Sequence, residues 1–158
     1  MTQNGDKWKK VEVTKMLSGE YAHTLDDKGR FVMPTRLRDA LHDGFVITKG
    51  LDGCLYMYEQ EQWNILEAKL ATLPMSSKNA RNFKRFLIGG SVECNYDKQG
   101  RVLLPPNLRE FAKLDRDIVI AGVGPYAEIW NKAAWDAQMA ECSGKEEEIA
   151  EQLSEFGI

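Results

Sequence analysis

At 158 residues, 43% hydrophobic and 28% charged, the sequence has room for one ordinary domain or two small halves and reads as soluble and globular rather than disordered. No stretch approaches the roughly 18 to 20 apolar residues of a membrane span, and the polar opening lacks the apolar centre of a secretory signal, so the expected location is the cytoplasm. Cys54, Cys94 and Cys142 are odd in number and scattered, which argues against a disulfide framework and against a closed zinc site.

The formal net charge of −3 conceals an uneven distribution. Residues 78–116 hold nine Lys or Arg against four Asp or Glu, a local +5; residues 127–158 hold two against eight, a local −6. A basic middle can meet a polyanion that an acidic tail repels, although solvated helix faces produce the same numbers.

In chain order, the opening residues contain Trp8 amid Lys7, Lys9 and Lys10 and read either as a DNA-seeking arm or as an unstructured lead. A strand is expected around Tyr21 to Leu25. It enters a turn with Asp26 first and Gly29 fourth, the residue preference of a type I turn closed by a left-handed glycine, so a hairpin is expected. The return strand "RFVMP" ends at Pro34, which cannot donate into a ladder but suits the start of a short helix, "TRLRDAL". Two β runs follow, "FVIT" and "CLYMYE", rich in the residues strands favour. Trp63, Leu66, Leu70 and Leu73 then recur at helical spacing. A second helical pattern carries Ala80, Phe83, Phe86 and Leu87, with Arg81, Lys84 and Arg85 interleaved.

From there the chain repeats itself. "LDDKGRFVMP" (Leu25 to Pro34) returns as "YDKQGRVLLP" (Tyr96 to Pro105), and a constant offset of 71 superposes Asp26 on Asp97, Gly29 on Gly100, Arg30 on Arg101, Pro34 on Pro105, Leu37 on Leu108 and Arg38 on Arg109. "FVITKG" parallels "IVIAGV", and Trp63 lies under Trp135 with a drift of one or two residues. The tail from Gly144, "KEEEIAEQLSEF", sets Ile149, Leu153 and Phe156 on one apolar edge of an acidic helix. The expected organisation is an extension (1–18), repeat 1 (19–64), a helical linker (65–90), repeat 2 (91–135) and an acidic C-terminal helix (136–158).

Catalytic apparatus is hard to find. His23 and His42 have no marked nucleophile beside them, although Cys94 near the second turn could pair in space with His23. H-E-x-x-H, C-x-x-C and a phosphate loop are all missing. "GVGP" at Gly122 to Pro125 reads as a turn between strands, not a dinucleotide fingerprint, because no helix opens after it. No cofactor and no metal are expected.

A turn of this type places the residue after its glycine at the base of an exposed tip, so Arg30 and Arg101 are expected near the ends of two ribbons. An arginine there offers a planar fork for phosphate or for the O6 and N7 edge of guanine, and a two-stranded ribbon fits a DNA major groove. The plainer reading is that Asp26 with Arg30, and Asp97 with Arg101, merely pin each turn. Lys28, Arg36, Arg38 and Arg109 are individually explained as solubilising residues.

The doubled D-x-x-G-R-x-x-x-P element, each copy followed by a short helix and two strands, resembles the MraZ family of bacterial regulators, with tandem SpoVT/AbrB-like half-domains, over about Gly19 to Cys142. The resemblance implies an α+β, mainly β fold in which two swapped-hairpin half-domains form a pseudo-dimeric small β-barrel with linking helices. It further implies a sequence-specific transcription factor, usually a repressor, acting as a ring-like homo-oligomer at repeated boxes upstream of the division and cell wall gene cluster containing its own gene, and found with the nucleoid. Carried over by position, the DNA-contacting basic pair falls on Lys28 and Arg30. In the second copy Arg101 is kept, but Gln99 stands before Gly100 and the nearest lysine is Lys98; Asp27 adds an acid to the first tip. Asp26, Gly29, Asp97 and Gly100 shape the turns. The rival reading is a protein-interaction or antitoxin-like module using the acidic tail.

Overall fold

Strand β1 (Leu17–Thr24) pairs not with the strand that follows it but with one about a hundred residues away. A computed structural model describes residues 16–158; the basic lead around Trp8 lies outside the described residues. Repeat 1 supplies β1, β2 (Arg30–Val32), helix α1 (Thr35–Arg38), β3 (Phe45–Lys49) and β4 (Leu55–Tyr58). Repeat 2 supplies β5 (Val92–Cys94), β6 (Arg101–Leu103), α4 (Pro106–Phe111), β7 (Asp117–Gly124) and β8 (Ala127–Asn131). Between them run α2 (Gln60–Ala71) and α3 (Lys78–Leu87); α5 (Lys132–Cys142) and α6 (Glu146–Gln152) follow.

Six strands form one antiparallel sheet in the order β1-β7-β8-β4-β3-β5, and β2 pairs with β6 in a separate two-stranded ribbon. Only β3 with β4 and β7 with β8 are pairings within a repeat. The rest are exchanges: β1 lies on β7, β5 on β3, β2 on β6 and β4 on β8. The ribbon register sets Phe31 opposite Val102, equivalent residues, and so marks a pseudo-twofold axis between the repeats.

Two expectations are thereby corrected. Each turn does reverse the chain, but its two arms do not make a hairpin ladder: Leu25 donates to the Arg116 carbonyl while β2 leaves to join β6. The barrel is also not closed, because among the described residues β1 and β5 remain the outer strands of the sheet and the ribbon hydrogen-bonds as a unit of its own.

Both faces of the sheet are covered, which explains why "DIVIAG" is apolar without alternation. Ile118 and Ile120 face a core shared with Phe31, Met33, Leu37, Val102, Leu104 and Leu108 from the ribbon and its short helices. Val119 and Ala121 face the opposite core, with Trp63, Leu70, Leu87, Trp130 and Trp135. Sequence chemistry sets the helix starts. Pro34 and Pro105 precede α1 and α4, with Pro106 in the first turn, and the Ser77 and Asn131 side chains accept from Ala80 and Ala134 N–H to open α3 and α5. The buried Thr48 hydroxyl donates to the Leu87 carbonyl and ties α3 to β3.

One glycine is required by close approach. A Cβ on Gly122 of β7 would sit 2.6 Å from the Leu17 carbonyl carbon and as close to Ser18, both backbone of β1. Gly122→Ala is therefore expected to lift β1 from the sheet edge and cost about 1–3 kcal/mol, read as a lowered Tm. An unchanged Tm would mean that β1 accommodates the methyl by sliding.

Candidate nucleic-acid interface

The two repeated turns are built alike, atom for atom. The Asp26 Oδ1 accepts the backbone N–H of Lys28 and of Arg30, each at 2.9 Å, and Oδ2 accepts Arg30 Nε at 2.8 Å. Asp97 does the same for Gln99, Arg101 and Arg101 Nε, at 2.9, 2.9 and 2.8 Å. Backbone bonds close each loop: Gly29 and Gly100 donate to the Asp26 and Asp97 carbonyls, and those aspartates donate to the Arg30 and Arg101 carbonyls. Gly29 at φ 82° and Gly100 at φ 75° occupy the left-handed region that admits glycine without strain.

Both carboxyls are held below the ordinary Asp value of 3.8, chiefly by the arginine backbone N–H and further by the guanidinium, with desolvation opposing. A depressed carboxylate stabilises its turn fully above its unfolded pKa and loses that contribution as pH falls through the lower folded value. The amide protons of Arg30 and Arg101 are thus expected to keep their protection from about pH 7 to about pH 5 and to lose it only below the ordinary Asp range, measured by hydrogen exchange. Loss of protection already near neutrality would contradict the aspartate pin.

Pairing of β2 with β6 brings the two turns together. Met33 donates to the Gly100 carbonyl and Leu104 to that of Gly29, and Arg101 Nη1 lies 4.0 Å from the Asp26 carboxylate. Arg30 and Arg101 are about one-quarter exposed, folded against their own aspartates rather than extended from the tips. Lys28, Lys98, Gln99 and Asp27 are the exposed tip residues. The turn register puts Gln99 at the position Lys28 holds and Lys98 at that of Asp27, so the tips differ in charge order.

Two further arginines belong here, and sequence reasoning passed over them. Arg109 of α4 packs against Gly29, and Arg38 of α1 packs against Gly100, each reaching the turn of the other repeat. Arg109 Nε donates to the Leu104 carbonyl, and the Arg38 guanidinium lies 4.8 Å from the Tyr96 ring centre. The constant offset of 71 relates them, but nothing local reveals that each crosses over. The result is a group of four arginines around two adjacent turns.

Elsewhere the alternatives lose support. Cys94 sits on β5 and His23 on β1, the two outer strands of the sheet. The Cys94 thiol donates to the Val92 carbonyl, and burial pushes it up to about 12. Among the described residues no group of three or more His, Cys, Asp or Glu could hold a metal. No helix among them is long and apolar enough to cross a membrane. The Gly122 to Pro125 segment joins β7 to β8, with Val123 donating to the Tyr126 carbonyl. An open cleft of about 690 Å³ beside the first turn is lined by Asp26, Asp27 and Asp115 as well as Arg109 and Arg116, and its carboxylates make it a poor seat for phosphate.

The profile of the family described as "MraZ protein, putative antitoxin-like" matches residues 16–86 and again 87–156. The chain belongs to the MraZ family of transcriptional regulators. MraZ proteins from Thermoanaerobacter pseudethanolicus, Moorella thermoacetica and Pediococcus pentosaceus, each called a transcriptional regulator, are 50%, 48% and 45% identical to it over 143 residues, covering 90% of this chain and all of each relative. MraZ is a family of regulators rather than enzymes. Its tandem repeats here are the two that exchange strands.

Proposed function

We propose that this protein binds duplex DNA through the turns around Arg30 and Arg101 and regulates the division and cell wall gene cluster that includes its own gene, acting as a repressor in the cytoplasm, at the nucleoid. The observation that carries the reading is the β2–β6 pairing, which sets two aspartate-pinned arginines on one side of the molecule with Arg38 and Arg109 behind them. An arginine held through Nε keeps a fixed direction, and its remaining donors suit guanine or phosphate. Lys28 and Lys98, exposed at the tips, serve as phosphate contacts.

A chain of net charge −3 with few basic residues at its contact binds DNA weakly alone. A ring-like homo-oligomer presents several identical faces to repeated promoter boxes, so that each contact raises the effective concentration of the next. The decisive experiment is fluorescence anisotropy with labelled duplex from upstream of the protein's own gene against a scrambled duplex, at low and moderate salt. Preference for the native duplex that persists as salt rises supports the reading. Equal or absent binding favours an interaction or antitoxin-like role, for which the exposed Leu153, Phe156 and Ile158 of the acidic tail offer a surface.

A further inference from the structure

The ribbon face that carries the arginines also carries two aliphatic side chains standing in water. Strand alternation sends Phe31, Met33, Val102 and Leu104 into the core at 2% exposure or less and turns Val32 and Leu103 outward at 48% and 58%. The ladder sets Leu103 opposite Arg30 and Val32 opposite Arg101, so the outward face is two cross-strand pairs, each one arginine and one aliphatic. A single exposed aliphatic needs no explanation. Here equivalent positions of both repeats keep one, beside the arginine each time, and the neighbouring tips contribute Lys28 and Lys98.

We infer that Val32 and Leu103 contact thymine C5-methyl groups in the major groove, next to the bases or phosphates engaged by Arg30 and Arg101. This rests on the DNA-binding reading of the ribbon. Thymine alone among the four bases presents a methyl group in that groove, and apolar side chains are its complement. The spacing also fits: outward residues two apart on a strand are separated by about 6.6 Å, and two base steps along one DNA strand by about 6.8 Å. Arg30 and Val32 can therefore address positions two steps apart, and Arg101 and Leu103 do the same across the pseudo-twofold axis. Around the two turns Lys28, Arg30, Arg38, Lys98, Arg101 and Arg109 stand against Asp26, Asp27 and Asp97, and this net positive charge favours a nucleic acid on this face over an apolar protein surface.

The test uses the full-length protein and three duplexes: the segment upstream of its own gene, the same segment with deoxyuridine replacing every thymidine, and a scrambled sequence. Deoxyuridine removes the methyl and leaves the pairing edge intact. Wild-type protein is expected to bind the uracil duplex more weakly by about fourfold for each methyl contacted, on the order of tenfold in all. Val32→Ala with Leu103→Ala is expected to bind native and uracil duplexes alike, with uracil-duplex affinity equal to the wild type's. Equal binding of both duplexes by the wild type overturns the inference without any variant, as does a double variant that keeps the thymine preference. A wild type that does not distinguish native from scrambled duplex brings down the DNA-binding reading itself. A double variant that retains thymine preference but loses mass in light scattering assigns the two aliphatics to contact with a second copy instead.

Discussion

Replacing Arg30 and Arg101 together with alanine is expected to weaken binding to the native duplex about a thousandfold while leaving the mass of the assembly unchanged. A well-placed arginine contact is worth about 1–3 kcal/mol, so two lost contacts amount to about 4 kcal/mol. The local geometry adds to this. Each guanidinium lies 2.8 Å from its aspartate, and its removal leaves Asp26 and Asp97 facing the DNA without their counter-charge. Arginine-to-lysine variants at both sites separate two roles. Lysine keeps the charge but not the fork, so a phosphate contact would survive nearly intact, whereas base recognition would lose its preference for the native duplex. An alanine pair that binds as well as the wild type, measured by anisotropy, would assign these arginines to turn stability alone.

The second large effect concerns stability. Phe31→Ala is expected to cost about 3–5 kcal/mol. Phe31 is 1% exposed, sits opposite Val102 at the centre of the ribbon and packs into the core that the ribbon shares with the sheet. Against a total stability of about 5–15 kcal/mol this is a large fraction, equivalent to a Tm lower by about 10 °C for a chain of this size. Val32→Ala, one residue along and outward-facing, is expected to change stability by no more than about 0.5 kcal/mol. Similar melting temperatures for the two variants would mean that the ribbon contributes little to holding the repeats together.

What could be read in advance follows from how local each interaction is. Asp26, Gly29 and Arg30 form a closed set of bonds within five residues, so their spacing in the sequence already specifies the turn, and the second copy repeats it. The runs "RFVMP" and "RVLLP" read as strands, but an arginine followed by three apolar residues does not show that Val32 and Leu103 face outward. The partner of such a strand is another matter. A three-residue segment fits a hairpin with β1 as well as a ribbon with β6, and only packing of Phe31 and Val102 against the sheet decides between them. Arg38 and Arg109 were passed over for the same reason, since each meets a glycine of the opposite repeat, about sixty to eighty residues away. The acidic helix expected over 136–158 is divided in two, because α5 stops at Cys142 and α6 opens only at Glu146. Helix α6 stops at Gln152, and a single tighter turn over Ser154–Phe156 precedes the left-handed Gly157.

The reciprocal exchange of strands also bears on how the protein is made. While the ribosome is still synthesising the second half, β1 and β2 have no partner within their own chain, because β6 and β7 do not yet exist. The first half therefore waits with hydrogen-bonding edges open, and completion of either repeat depends on long-range closure, which is slow. On one message, a leading nascent chain already carries the β6 and β7 that a trailing chain still lacks. Pairing of β1 or β2 from one with β7 or β6 from its neighbour is then a competing route, and the rate of synthesis of residues 101–124 sets how long that competition stays open.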